Sequence, residues 1–429
     1  MKILIRNGRV IDPASGLDQM ADIAIAQGRV QAIGSLPADF VPQQQIEARG
    51  AIVAPGLVDL AVRLREPGHE HEGMLASEMA AAVAGGVTSL VCPPDTDPVL
   101  DEPGLVEMLR HRAERQQGAR VLPLGALTRG LKGEILTEME QLRRAGCVGF
   151  GQAEVALSDT QVLQRALQYA ATFDHAVWIR PQDRHLGKGV AASGPLATRM
   201  GLSGVPVAAE TIAMHTLFEL IRGTRTRLHL CRLSSAAGVA LLRQAKAEGL
   251  PVTADVSVHS LHLTDQDMGF FDSRARLTPP LRQQRDREAL REALADGTID
   301  ALVSDHTPVL PDAKALPFAE AEPGATAVEL LWPLALKWAQ DDQVPLASVL
   351  ARLGSGPAKV LGPAAPEGLG RLMPGAPADL VLLEEDGHHL VQEAALRSQG
   401  KHTPFAGYEL PGRVRATLVG GRLVHTAQA

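Results

Sequence analysis

The sequence predicts an α/β chain, a (β/α)8 barrel carrying a small β-sandwich domain built from both chain ends. Three features lead there. Eight short apolar runs alternate with helix-period patterns through the middle of the chain, which reads as strand-helix units closing a parallel barrel. Both ends are instead rich in short strands and turns, and because chain termini often lie close together, one domain can take both. Hydrophobic residues make up 45% of the 429 residues and aromatic ones only 3%, so the core must come from Ala, Val, Leu and Ile, as in helix-covered parallel sheets.

In order, Ile3 to Ile5, Arg9 to Ile11, Ile23 to Ala26 and Val30 to Ile33 read as strands separated by turns at Asn7-Gly8, Pro13 to Gly16 and Gln27-Gly28. Ile52 to Leu60 reads as a buried strand broken only by Pro55 and Gly56. Asp379 to Leu383, Arg413 to Val419 and Arg422 to Val424 answer the first set, so 1–53 and 365–429 are assigned to the β-sandwich domain and 54–364 to the barrel. Barrel strands are expected near Leu57 to Leu64, Thr88 to Cys92, Val121 to Leu127, Cys147 to Gly151, Ala176 to Arg180, Arg227 to Leu233, Val252 to Val258 and Ile299 to Ser304. Helical patterns over Glu72 to Ala84, Gly104 to Gln116, Asp159 to Thr172, Pro206 to Ile221, Ala236 to Ala247 and Gln284 to Ala295 fall between them. Two long polar loops, His185 to Gly204 and Thr307 to Thr326, read equally as lids, interaction segments or plain surface.

A formal charge of −7 supplies no basic face for nucleic acid or anionic lipid. No run approaches ~20 apolar residues, and Met1 to Gly16 interleaves Lys2, Arg6 and Arg9 with apolar residues, so neither a membrane span nor a cleaved leader is expected. Cys92, Cys147 and Cys231 stand far apart without a Cys-x-x-Cys pair, which signals no disulfide framework and a reducing, cytoplasmic setting.

The informative stretch is Pro55 to Gly68. On a strand, residues two apart share a side, so Ala61, Arg63 and Arg65 face one way, and a His at the first two would chelate one cation. The stretch resembles the first barrel strand of dihydroorotases of the amidohydrolase superfamily, Pro-Gly-Leu-Val-Asp-Leu-His-x-His-x-Arg-Glu-Pro-Gly, everywhere except at Ala61 and Arg63. The resemblance covers nearly all of the chain, including Pro279 to Arg282, Gly297 to Ala301 and Ser304 to Pro308. It implies metal ligands at the strand-one His pair, at a carboxylate or modified Lys ending strand four, at one His on each of strands five and six, and at an Asp ending strand eight.

Carried over residue by residue, that set is degenerate. The acidic pair after Phe150 is Gln152 and Ala153, with Glu154 displaced toward the wrong face or too far along. Arg180 stands for the strand-five His and Arg232 for the strand-six His, while Asp305, the position of the general base, is retained. Guanidinium offers no lone pair and does not deprotonate, and two such cations about 7 Å apart repel by roughly 2 kcal/mol at an effective dielectric of about 20. The zinc site is therefore expected to be lost, with no metal and no cofactor. Arg65, which the resemblance pairs with a substrate carboxylate, is kept; Asp95 and Thr278 replace two Asn positions.

The arginines have two readings: a salt-bridged plug pairing with Asp305, Asp95 or Glu154, or an anion site of Arg63, Arg65, Arg180 and Arg232. Among weaker signals, His69 and His71 suggest either a relocated metal site or solvated side chains, and His229 a hydrogen-bonded core residue. His259 and His262 mark an altered family motif, and His388-His389 a surface turn. Ser234-Ser235 reads as a helix cap rather than a nucleophile.

The resemblance is strongest to the non-catalytic dihydroorotase-like chains that some bacteria carry beside aspartate carbamoyltransferase. It implies a scaffolding subunit of pyrimidine biosynthesis, in a homo-oligomer or a hetero-oligomer with the transferase. The alternatives are an active dihydroorotase or related cyclic amidohydrolase with an atypical metal site, interconverting dihydroorotate and N-carbamoyl aspartate, and an anion-binding sensor. One barrel hosts many roles, so fold alone does not choose.

Overall fold

A computed structural model describes residues 1–427, so the last two residues of the expected C-terminal segment lie outside the described residues. Strands from both ends join in one hydrogen-bonded sheet. From one edge the order is Arg422–Thr426, Glu409–Val419, Leu380–Leu390, Ile52–Pro55, Lys2–Asp12, Leu17–Ala26 and Arg29–Ile33, with Gln44–Glu47 beside the start of Lys2–Asp12. Ile3, Ile5, Ile23 and Ile25 pack in one buried cluster with Leu380, Leu382, Ala416 and Leu418 from the far half, so the sheet folds across itself around a sandwich-like core.

Two local expectations are corrected here. Asn7-Gly8 is not a turn but a bulge inside the single strand Lys2–Asp12, where the register against Leu17–Ala26 shifts between Ile5 and Gly8. Asn7 takes φ 58°, and a Cβ on Gly8 would meet Val53 Cγ2 at 2.5 Å, so the left-handed residue plus glycine bends the strand without ending it. Ile52 to Leu60 is two strands in two sheets: Ile52–Pro55 belongs to the β domain and Leu57–Asp59 opens the barrel. Gly56 is the crossing point, because a Cβ there would lie 2.1 Å from Thr88 Oγ1.

The barrel contains all eight expected strands, Leu57–Asp59, Val87–Cys92, Arg120–Ala126, Gly149–Gly151, Val177–Ile179, Leu228–Leu230, Val252–Ser257 and Ala301–Val303, paired in parallel in that order. Closure comes from the segments beyond the first and last: Ser304 N donates to the Asp59 carboxylate at 3.2 Å, His306 N to Ala61 O at 3.0 Å, and Arg63 N to His306 O at 2.9 Å. Val58, Leu60, Val91, Leu122, Leu124, Val148, Trp178 and Val303 fill the interior, and apolar stripes on the surrounding helices bury against the strands from outside. The helices fall where expected, with two shifts: Leu75–Ala84 starts three residues later than its pattern, and Ala208–Thr224 starts two residues later and ends three later.

Of the two long loops, His185 to Gly204 holds the helix Pro195–Met200 and a strand pair, Ala191–Ala192 with Gly204–Val205, and Thr307 to Thr326 holds the short helix Pro311–Lys314. Among the described residues no helix is long and apolar enough to cross a membrane. Burial pushes the Cys92 and Cys147 thiols up to about 12 and Cys231 well above its ordinary value, so none is a ready thiolate.

Candidate functional site

The site is built where regular strand geometry stops. Arg65, Ala153, Arg232 and Asp305, each just past a barrel strand, have φ of 63°, 48°, 54° and 52°, a left-handed conformation that costs non-glycine residues energy and clusters at functional positions. At Ala153 the reversal matters most. It overturns the expectation that Glu154 faces away, because alternation no longer applies once the strand has ended at Gly151.

Glu154 sits at the centre of the mouth. Its Oε1 lies 2.8 Å from Arg63 Nη2 and 2.5 Å from Arg232 Nη2, and its Oε2 lies 2.5 Å from Arg180 Nε. Arg63 also reaches Asp95 through Nε at 2.9 Å and Thr307 Oγ1 through Nη1 at 3.1 Å. Arg232 spans Glu154 and Asp305, the latter at 2.9 Å, and Arg180 adds a hydrogen bond to Gln182. Three guanidiniums thus face three carboxylates, and the charges cancel. Arg65 is turned elsewhere, its Nε 2.7 Å from Glu72 Oε2 and donating to Pro308 O at 2.8 Å, with Nη2 3.4 Å from Glu322. Of the two readings, the anion site would need all four arginines to converge, but they are divided between two clusters of carboxylates, Asp95, Glu154 and Asp305 for three of them and Glu72 and Glu322 for Arg65.

The electrostatics follow from burial and pairing. Burial opposes ionisation of Glu154, but Arg232, Arg180 and Arg63 together overcome it and hold the carboxyl well below the usual range. Burial wins at Asp305, whose carboxyl is raised despite Arg232 and Arg63. Burial lowers Arg180, which among the described residues has Glu154 as its single carboxylate contact, whereas Asp305 and Glu154 lift Arg232 above its ordinary value against the same penalty.

Gln152 is turned out of the mouth, donating to Thr128 Oγ1 at 2.8 Å and Leu131 O at 2.9 Å. Ala61 and Ala153 line only a narrow cavity of about 40 Å3 behind the arginines. A larger cavity of about 260 Å3 opens in front, lined in part by Arg63, Arg65, Glu154, Arg232, Asp305 and Glu322. Arg63, Arg180 and Arg232 bring to the inner positions guanidiniums without lone pairs, each paired with a carboxylate. Nearby His229, Cys231 and Asp255 have metal-ligating atoms close together, but His229 and Asp255 are already paired. His229 Nε2 bonds Asp255 Oδ2 at 2.8 Å and Nδ1 bonds Thr253 Oγ1 at 2.9 Å, while Asp255 Oδ1 accepts from Arg232 N at 2.6 Å.

Comparison with known proteins accords with this geometry. A dihydro-orotase-like family model matches residues 50–237 and an amidohydrolase family model residues 206–424. A dihydroorotase-like protein of Pseudomonas aeruginosa is 48% identical over 426 residues, covering 99% of this chain and 100% of that one. The chain belongs to the dihydroorotase family. A dihydroorotase of Syntrophotalea carbinolica is 38% identical over 99% of both chains, and an L-hydantoinase (dihydropyrimidinase) of Arthrobacter aurescens superposes with a TM-score of 0.86 at 25% identity, covering 98% of this chain and 95% of that one.

Within this dihydroorotase-family barrel the remaining sequence signals find plain places. Ser235 caps the helix Ala236–Ala247 by accepting from Gly238 N, and Ser234 Oγ donates to Glu210 at 2.6 Å. His262 bonds Leu334 O, and His259 is buried against Phe405. His388-His389 is not a turn: both residues lie in the strand Leu380–Leu390, past a register shift after Glu384. The salt-bridged plug named Asp95, Glu154 and Asp305, and all three are the partners found; what the sequence did not indicate is that Glu154 is shared by three arginines and that Glu72 pairs with Arg65. The only available signal for Glu154 was an acid within a few residues of the strand-four end.

Proposed function

We propose that this dihydroorotase-family chain is a non-catalytic subunit of pyrimidine biosynthesis that scaffolds or sustains an aspartate carbamoyltransferase. One observation carries the reading: Arg63, Arg180 and Arg232, at positions the family resemblance assigns to metal-binding histidines, are committed to Glu154, Asp95 and Asp305. Opening a cyclic amide needs an activated water, and unassisted water ionises near 15.7 against about 7 on a zinc ion. Asp305, the retained base position, is paired with Arg232 at 2.9 Å. Relatives 48% and 46% identical carry the name dihydroorotase-like protein, while relatives 36 to 39% identical carry the name dihydroorotase. The transferase as partner, and the loss of zinc and of turnover, come from the resemblance and this donor set.

The test is co-expression with the aspartate carbamoyltransferase of the same organism, then size-exclusion chromatography and transferase assay with and without this chain. Co-elution with raised or stabilised transferase activity, and no interconversion of dihydroorotate and carbamoyl aspartate, is expected. Separate elution with unchanged activity refutes the scaffold.

The 260 Å3 cavity supports a second reading, an anion sensor, since Arg63, Arg65 and Arg232 all line it. A ligand carboxylate or phosphate must displace Glu154 or Asp305 to gain a bidentate contact. Calorimetry with carbamoyl aspartate, carbamoyl phosphate and orotate decides it; heats equal to dilution for all three dismiss the sensor.

A further inference from the structure

The strand ends do not offer a cation site, but the rim does. We propose that His69, His71 and Glu72, in the loop that follows the first barrel strand, form a binding site for a divalent transition metal of the zinc class. The positions lie outside the strand-end set that the family resemblance implies, and the proposal does not depend on the scaffold reading.

The ligand-bearing atoms of these three residues all lie within 4.8 Å of one another. His69 Nδ1 is 3.9 Å and His71 Nε2 3.6 Å from Glu72 Oε1. Tetrahedral zinc with bonds of about 2.0 to 2.1 Å needs donors about 3.3 to 3.4 Å apart, so the His71 edge must close by about 0.2 to 0.3 Å and the His69 edge by about 0.5 to 0.6 Å. The imidazoles are free to make that adjustment. Their side chains are 35% and 59% exposed, and neither ring makes a hydrogen bond among the described residues.

The carboxylate, by contrast, is already placed. Glu72 is buried, and its Oε2 lies 2.7 Å from Arg65 Nε, which leaves Oε1 toward the imidazoles. Backbone bonds fix the turn: Glu72 N donates to His69 O at 2.9 Å, and Gln399 Nε2 donates to Glu70 O at 3.0 Å and His71 O at 2.8 Å. An oriented carboxylate with a charged partner behind it is the usual outer-shell arrangement of metal ligands. Two imidazoles and one carboxylate select zinc, cobalt, nickel or copper over magnesium or calcium, which prefer all-oxygen sets. Three protein donors leave the fourth position to water. A bound ion would staple the 69–72 turn and, through Arg65, the edge of the mouth cavity.

The test titrates metal-stripped full-length protein with cobalt(II), followed by visible absorption and by zinc displacement. Wild type is expected to bind one ion per chain with the intense bands of tetrahedral cobalt lacking thiolate charge transfer, and zinc should remove them. The double variant His69→Gln/His71→Gln should lose the bands, whereas Cys231→Ser, which alters the other ligand cluster, should keep them. Absence of binding by wild type, bands retained in the double variant, or bands lost in Cys231→Ser overturns the proposal. Should the double variant fold poorly, zinc-edge X-ray absorption of the wild type decides instead: imidazole with oxygen donors supports the site, and a sulfur shell refutes it.

Discussion

Replacing Glu154 by Gln removes one negative charge and almost no volume from the centre of the mouth. Arg63 Nη2 and Arg232 Nη2 approach the same oxygen at 2.8 and 2.5 Å. Those nitrogens are therefore no more than about 5.3 Å apart, where two unit charges repel by about 3 kcal/mol at an effective dielectric of about 20. Gln keeps an acceptor but cannot offset that repulsion. Against the loss stands the recovered desolvation of the carboxylate, so the net cost is that of breaking a buried ion pair, about 3 to 5 kcal/mol. A third of the Glu154 side chain stays exposed, which admits water and puts the cost at the lower end, about 3 kcal/mol.

At an unfolding entropy of about 2.1 cal/mol/K per residue for a barrel of about 300 residues, that is a fall in Tm of roughly 5 °C. Scanning calorimetry at low and high salt reads it, and adding Arg180→Met to Glu154→Gln should recover part of the loss by removing one unpaired cation. The sign with pH follows from the depressed carboxyl of Glu154. Its contribution is full above the unfolded value near 4.3 and is lost as pH falls through the lower folded value, so the gap between wild type and variant is constant from about pH 6 to 8 and narrows only below about pH 4. A Tm within about 1 °C of wild type, or a gap that closes at neutral pH, would sink the idea that Glu154 holds the mouth together.

Three further outcomes are expected. Gly56→Ala places a Cβ 2.1 Å from Thr88 Oγ1 and 2.2 Å from Thr88 Cγ2 at the crossing between the two sheets, and should cost about 1 to 3 kcal/mol in a urea titration, partly restored by adding Thr88→Ala. His229→Leu leaves Asp255, 1% exposed, without its side-chain partner and should destabilise by about 3 kcal/mol in a urea titration; a neutral result means that this pair does not hold the barrel interior. Burial, with Arg276 second, pushes the Lys314 ammonium down to about 7, so the unfolded chain binds the extra proton between about pH 7 and 10 and stability rises with pH across that window. Lys314→Met should flatten that rise in thermal melts, and an unchanged slope excludes Lys314 as its source.

The barrel strands were legible because each is buried on both faces and so appears as a continuous apolar run between breakers. The same property hid the crossing at Gly56, since Ile52–Pro55 and Leu57–Asp59 look alike and only their pairing partners separate them. Asn7-Gly8 carries turn chemistry, but whether such a pair makes a turn or a bulge depends on what the flanking segments pair with, and both flanks pair with Leu17–Ala26. The arginines were legible as substitutions in a motif. Glu154 was legible as one possible partner of those arginines but not as the residue they share, because its direction depends on the left-handed φ of Ala153, a residue type that gives no local hint of it.

Arginine suits the mouth for a reason beyond charge. Asp305 is buried with its carboxyl raised, and without a compensating cation such a group costs several kcal/mol. A lysine could supply the charge from a single point, but Arg232 uses separate nitrogens for Asp305 and Glu154, and Arg63 does the same for Glu154 and Asp95. Fork geometry, not charge alone, then ties the ends of strands one, four, six and eight to one another. The ordering of two substitutions at one position tests this. Arg232→Lys keeps the charge and loses one bridge, for about 1 to 2 kcal/mol; Arg232→Met leaves Asp305 without its closest cation, for about 3 to 5 kcal/mol. Equal losses in calorimetry mean that the bridge geometry is what counts and the charge adds little. A methionine variant as stable as wild type means that the mouth is held by its apolar wall and the ion pairs only fill it.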